Sequence, residues 1–358
     1  MSVGDSLTLR VRSDVPLAPL TTLRVGGAAA RMAELSSEDD VRASVADADA
    51  RREPLLILGG GSNVLVADEG FAGLVGRMAI RGIEARREGD RFVVDVGAGE
   101  DWDTLVARAV DEGWRGVASL SGIPGRVGAT PIQNVGAYGE EVADTVAGVR
   151  VFDRASNAFV DMAPAECGFG YRASVFKRSE RWIVTRVRFA FQHGDDAPVR
   201  YAELARALSV KEGETAPAKR VRETVIALRR GKGMVLDPAD PDSVSAGSFF
   251  VNPVVDLATA ARVETLAGAV PPRFDAGEGR VKLAAGWLVE RAGFVKGWGE
   301  GRAGVSRKHA LALVNRGGAT AAELLAVARA IRDGVRARFG ITLEPEPVFV
   351  GCSLTERS

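Results

Sequence analysis

The segment Ser119–Gly139, S-L-S-G-I-P-G-R-V-G-A-T-P-I-Q-N-V-G-A-Y-G, carries five glycines (Gly122, Gly125, Gly128, Gly136, Gly139) and two prolines. Breakers at that spacing forbid a long helix or a regular strand, so the stretch folds as a loop whose backbone can be closely approached. N–H groups exposed in successive turns form anion-binding nests, and phosphate is the ligand that suits them. Gln133 and Asn134 add side-chain hydrogen-bonding groups beside that backbone. The competing expectation is a set of tight turns that holds no ligand.

A second glycine loop shifts the balance. The apolar run Leu55–Leu58 has strand length, Gly59-Gly60-Gly61-Ser62-Asn63 follows, and Val64–Ala67 resumes as strand. A P-loop needs a Gly-Lys-Ser/Thr leading into a helix, and a Rossmann fingerprint must also open one; this loop does neither. Two glycine loops, one between strands and one long, point to an extended nucleotide cofactor held outside the Rossmann scheme.

Bulk properties narrow the partners. The 358 residues suffice for two or three domains. Lys plus Arg and Asp plus Glu both number 47, so no basic excess points to nucleic acid. Neither a membrane-length apolar run nor a cationic-then-apolar leader is present, so membrane insertion is not expected and the expected location is cytoplasmic. Cys167 and Cys352 make no disulfide framework, and two histidines, His193 and His309, are too few for a histidine-built metal site, so no metal is expected. Neither histidine lies in a glycine loop, which argues against a flavin tethered through histidine there.

Residues 1–14 show no periodicity and are expected to be a loose N-terminus. Ser37 caps a helix with Val41 and Val45 on one face, Arg91–Val96 reads as strand, and Asp101 caps a second helix ending near Gly113. Val149–Asp153 and the alternating Trp182–Phe189 are strands. The polar stretch from His193 to Ala218 suggests a domain boundary, and Lys219–Arg230 reads as an amphipathic helix. Thr320-x-x-Glu323 is a capping box before a helix faced by Leu324, Val327, Ile331 and Val335 and closed by Gly340. Leu343–Val350 is extended, and its alternate prolines confine it to a sheet edge or to a spot where backbone donors are not needed.

Three clusters carry candidate chemistry. In G-Y-R-A-S-V-F-K (170–177), Arg172 suits bidentate binding of a carboxylate, although an exposed turn arginine reads the same way. In G-S-F-F-V-N-P (247–253), Ser248 beside two phenylalanines has a partly desolvated hydroxyl that can act as a proton donor; a turn serine over two core rings is the bland alternative. Glu344 and Glu346 share one face of a strand, and periodicity does not choose between acid–base work and a charged edge.

Together these segments resemble the UDP-N-acetylenolpyruvoylglucosamine reductases, flavoenzymes of peptidoglycan precursor synthesis. The matching pieces are T-T-L-R-V-G-G (21–27), L-G-G-G-S-N-V-L-V (58–66), residues 121–139, G-Y-R-A-S-V-F-K, G-S-F-F-V-N-P, K-L-A-A-G-W-L (282–288) and L-E-P-E (343–346), all in family order. The resemblance implies an α+β fold: a two-part FAD-binding domain of the vanillyl-alcohol-oxidase (PCMH) type over 15–205, a smaller α+β substrate-binding domain over 206–340, and a C-terminal catalytic strand and tail over 341–358. It implies non-covalent FAD held by Gly59, Gly60, Gly61, Ser62, Asn63, Ser121, Gly122, Ile123, Gly125, Gly128, Ala129, Gln133, Asn134, Gly136 and Val184. It further implies NADPH as reductant and a UDP-N-acetylglucosamine enolpyruvate substrate contacted by Tyr171, Tyr201, Lys232, Asn252 and His309. By the same resemblance Arg172 polarises the substrate carboxylate, Ser248 donates the proton and Glu346 assists; a monomer is expected. Pro347 departs from the valine that usually follows the family's catalytic glutamate, which bears on strand pairing there. Tyr201 and the long 190–218 connection resemble the subgroup with an extra tyrosine-bearing loop. Two alternatives remain: an FAD-dependent alcohol or sugar oxidase on the same flavin fold, and a non-catalytic nucleotide-sugar-binding flavoprotein.

Overall fold

The computed structural model describes residues 9–355 and divides the chain into two compact units. The first comprises residues 1–15, 29–61 and 72–230, and the second 16–28, 62–71 and 231–358. The expected division at residue 205 falls inside a helix of the first unit.

Two large sheets frame the first unit. One has the strand order Val11–Pro16, Ala28–Leu35, Phe71–Met78, Leu55–Leu58. The expected loose N-terminus is therefore corrected: Val11–Pro16 pairs as a strand, and residues 1–8 lie outside the described residues. Leu55–Leu58 runs parallel to Phe71–Met78, with Leu58 opposite Arg77, so the first glycine loop springs from a sheet end. The second sheet is antiparallel, in the order Ala158–Met162, Val146–Asp153, Trp182–His193, Arg91–Gly97, Ile83–Glu88. Val94, Val96, Val187, Phe189 and Phe191 alternate inward from it, as a half-buried sheet requires.

Helix α1 (Glu38–Arg51) starts at Ser37, whose hydroxyl accepts from the Asp40 amide while the Asp40 carboxylate accepts from the Ser37 amide. Helix α2 (Trp102–Asp111) starts at Asp101, which caps the Thr104 amide, and buries Trp102, Leu105, Val106 and Ala109. The polar stretch after His193 is not a linker. Helix α3 (Ala202–Leu208), α4 (Ala218–Gly231) and the hairpin of Asp196–Pro198 with Thr215–Pro217 close over Val199, Leu204, Leu208, Val221 and Val225. Five short apolar side chains, spread among charges, make a core that composition hides.

In the second unit, one three-stranded sheet has the order Ser245–Ser248, Ala312–Asn315, Ala303–Val305, and another has the order Val254–Asp256, Arg280–Leu283, Arg273–Asp275. Helices α5 (Leu257–Ala267), α6 (Ala285–Arg291) and α7 (Ala321–Phe339) share a core with Phe249, Phe250 and Leu65. The Thr320–Glu323 capping box forms, and Gly340 ends α7 at φ 70°. The extended C-terminal segment runs parallel to Val64–Val66 through Val348–Val350.

Candidate functional site

In the first unit the two glycine loops pack backbone to backbone. A Cβ on Gly60 would lie 2.7 Å from the Cα of Gly125, so the first loop tolerates no side chain at that crossing. Gly128 donates to the carbonyl of Ala98, and a Cβ there would strike Ala98. Among the described residues, the amides of Gly60, Gly61, Ile123 and Gly125 meet no protein acceptor. Open amides around a crossing that only glycine fits at position 60 suit a diphosphate, and so fit FAD.

Side chains fix the long loop in place. Asp103 accepts from the Gly122 amide at 2.6 Å and takes both prongs of Arg222 from α4, at 2.6 and 2.8 Å. Burial alone would raise the Asp103 carboxyl, but Arg222 and the Gly122 amide outweigh it and hold the group below the usual carboxylate range. Trp102 Nε1 donates to Leu120, the Ser121 hydroxyl donates to Ala118, and Glu140 accepts from the Ser119 amide at 2.9 Å. Glu140 is buried, and that desolvation raises its carboxyl. Sequence reasoning missed Asp103 and Arg222, which lie far apart in the chain and in no glycine motif; no local signal marks them.

Of the residues expected to hold the cofactor, Gly59 and Gly60 meet Gly125 and Ala129 at the crossing of the two loops, Gly61 continues the first loop, Gly122, Ile123, Gly128 and Gln133 belong to the second, and Val184 is buried on the neighbouring sheet. The buried Asn134, at φ 44°, has its amide on Glu141 (2.7 Å) and on the Gly170 carbonyl (3.1 Å), while its side-chain oxygen accepts from Ala143. It therefore staples the loop to the Arg172 turn. In that turn Gly170 and Ala173 exchange backbone hydrogen bonds, and Arg172 sits at φ 53°. The Arg172 guanidinium reaches the carbonyls of Gly136 (2.6 Å) and Asn134 (3.4 Å) and lies 5.4 Å from the Tyr171 ring centre, while Lys177 Nζ donates to its carbonyl. Tyr201, at the start of α3, meets Tyr138 edge-on at 5.7 Å; burial raises both phenols, that of Tyr138 to about 12.

In the second unit Ser248 ends the strand Ser245–Ser248 opposite Ala312. The next residues pair with the C-terminal segment: Glu346 donates to Phe249 at 2.9 Å, Val251 donates to Glu344 at 3.0 Å, and Phe250 bridges Pro345. Pro347 removes no hydrogen bond. The chain changes partner at that residue, and Val348 next donates to Asn63, whose side-chain amide reaches the Glu346 carbonyl at 3.3 Å. Glu344 is exposed and Glu346 half-buried, which separates the two carboxylates that periodicity left equivalent. Ser62 accepts from the Thr22 hydroxyl, the Asn252 side-chain oxygen caps α6 at Ala285, and His309 Nδ1 accepts from Leu311. Lys232 is half-buried just beyond α4.

A family model described as UDP-N-acetylenolpyruvoylglucosamine reductase, C-terminal domain, matches residues 238–350, and an FAD binding domain matches residues 29–161. A UDP-N-acetylenolpyruvoylglucosamine reductase from Thermobifida fusca is 53% identical over 356 residues, covering 97% of this chain and 100% of that protein. Another, from Streptomyces avermitilis, is 51% identical over 350 residues and 95% of each chain. The crystal structure of the corresponding reductase from Thermus caldophilus aligns with a TM-score of 0.65 at 28% identity, over 96% of this chain and 100% of that one.

Proposed function

The chain belongs to the UDP-N-acetylenolpyruvoylglucosamine reductase family, and on that premise we propose that Arg172, Ser248 and Glu346 carry the chemistry. The protein is an FAD-dependent oxidoreductase of peptidoglycan precursor synthesis, which uses NADPH to convert the enolpyruvyl ether of UDP-N-acetylglucosamine to UDP-N-acetylmuramate. FAD, when bound, supplies the hydride. The substrate's double bond is conjugated to its carboxylate, so hydride arrival at the methylene carbon pushes negative charge toward that carboxylate. Arg172 stabilises this charge where it develops, with a planar fork matched to two oxygens. The Ser248 hydroxyl then protonates the carbon bearing the ether oxygen, and Glu346 assists through its half-buried carboxyl. Tyr171, Tyr201, Lys232, Asn252 and His309 contact the nucleotide sugar.

One observation supports this assignment above the others: the bridge at Phe250 and Pro345 sets Glu346 opposite Phe249, the residue after Ser248, so both segments belong to one paired stretch of the second unit. The test is an anaerobic single turnover in heavy water, starting from reduced enzyme. Deuterium should enter the carbon bearing the ether. If Ser248→Ala reoxidises at the wild-type rate, the serine assignment fails. On the same reading the protein works in the cytoplasm as a monomer, and a dimer in sedimentation equilibrium would overturn the monomer; among the described residues no helix is long and apolar enough to cross a membrane.

A further inference from the structure

We propose that Arg77, Arg81 and Arg126 line a cationic cavity that takes the adenosine-phosphate end of FAD, with Arg126 as its anchor. The proposal rests on the flavin reading of the two glycine loops; it adds Arg77 and Arg81 from outside both loops and gives a role to Arg126 within the long one. Arg77, Arg81 and Arg126 line one cavity of the first unit together with Glu34 and Ser36. The cavity adjoins the diphosphate cradle. Arg77 lies opposite Leu58, the residue before Gly59, and a Cβ on Gly59 would stand 3.7 Å from the Arg126 Cβ. Arg126 itself belongs to the long loop, in extended backbone at φ −113° and ψ 151°.

The charges are poorly matched for a protein that keeps this cavity to itself. Burial first, then Arg81 and Arg77, press the Arg126 guanidinium down from its ordinary value, against the opposing pull of Asp101 and Glu100. Asp101 is 3.9 Å from Arg126 and Glu34 is 4.0 Å from Arg77, both at the outer limit of an ion pair, while Glu100 sits nearer Arg81 at 3.2 Å. An anion in the cavity relieves a repulsion that the carboxylates answer only loosely. Polarity along the loop says which end of the cofactor goes there. The 134–136 end is bonded to Arg172, the residue assigned to the reacting carboxylate, so the flavin ring belongs at that end. The Gly125–Arg126 end then receives the adenosine side.

The experiment strips the flavin and reconstitutes wild type, Arg126→Ala, Arg126→Lys and Arg77→Ala with FAD or with FMN, following the quenching of flavin fluorescence at low and high salt. FMN lacks the adenosine monophosphate half and isolates the shared portion. Arg126→Ala should weaken FAD about tenfold, the loss of one charge-assisted contact. FMN affinity should stay within about twofold, and the salt dependence of FAD binding should become shallower. Arg126→Lys should recover part of the loss, and Arg77→Ala, on a more exposed side chain, should show a smaller change of the same kind. Relief of like-charge repulsion should leave the flavin-free Arg126→Ala protein at least as heat-stable as wild type. Equal losses for FAD and FMN, or no loss for either, would overturn the proposal while the flavin reading stands. A wild-type protein that binds neither flavin would overturn both.

Discussion

The two units hold their chemical groups by opposite means. Around Arg172, side chains do the holding: its own guanidinium bonds two backbone carbonyls, Lys177 fixes its carbonyl, and Asn134 staples the turn to the glycine loop. The backbone pays with left-handed conformations at Asn134 and Arg172, each a non-glycine residue at positive φ. Around Ser248 and Glu346, main-chain hydrogen bonds to Phe249 and Glu344 do the holding, in the antiparallel geometry of any sheet. A site fixed by backbone keeps its shape when its side chains are cut. A site fixed by side chains loses shape and chemistry together.

Ser248→Ala tests the backbone-held half and should give the largest effect. Reoxidation by the enolpyruvyl substrate should slow by about 10²–10⁴, the usual contribution of a positioned general acid. Reduction by NADPH and the thermal midpoint should stay near wild type, because the hydroxyl takes no part in the pairing. A large fall in stability would break the comparison. Arg172→Lys tests the other half. Reoxidation should slow by roughly 10²-fold as the two-pronged geometry is lost, and stability should fall as well, since lysine cannot span both carbonyls. If reduction and reoxidation slow equally, Arg172 serves the fold and not the substrate.

The same contrast explains what was legible in the sequence. Helix starts were readable because Ser37, Asp101 and Thr320 cap within three residues of themselves, and the glycine loops were readable because backbone crossings demand glycine locally. The ordered motifs also carried the family, its FAD and its α+β fold, which the matched domains and relatives bear out. The strand at Val11–Pro16 was not readable, since it pairs with a segment whose register no local pattern encodes. Neither was the clamp between Asp103 and Arg222, two common charged residues joined only by the fold. Pro347 looked disruptive because a missing donor matters only where an acceptor waits, and the switch of partners at that residue is a property of three segments at once.

Asp103→Asn sharpens the comparison at the side-chain-held loop. Asparagine keeps an oxygen for the Gly122 amide but gives up the charge that engages Arg222. A loss of about 2 kcal/mol in unfolding free energy is expected at pH 7, on the scale of a hydrogen bond to a charged group. The folded Asp103 carboxyl lies below its unfolded value, so its contribution is complete above about pH 4 and disappears as pH falls through the folded value. Urea denaturation should therefore show wild type and variant converging in acid. A difference that persists unchanged at pH 2 would mean the charge is not what holds the loop.

Glu140→Gln should give the smallest effect, and the opposite sign. Glu140 ties the Ser119 amide through one oxygen, while its other oxygen is buried with no hydrogen-bond partner among the described residues. Burial raises this carboxyl above its unfolded value, so the folded state prefers the neutral form and loses stability as pH climbs from about 4.3 through the folded value. Glutamine is neutral at every pH, keeps an acceptor for the Ser119 amide and brings an N–H₂ that the Ser119 hydroxyl can accept. The variant should gain on the order of 1 kcal/mol at pH 7 and little or nothing near pH 4. Denaturant midpoints at the two pH values measure this directly. A variant less stable than wild type at pH 7 would show that the ionised carboxylate, buried as it is, is a working tether of the long glycine loop on a par with Asp103.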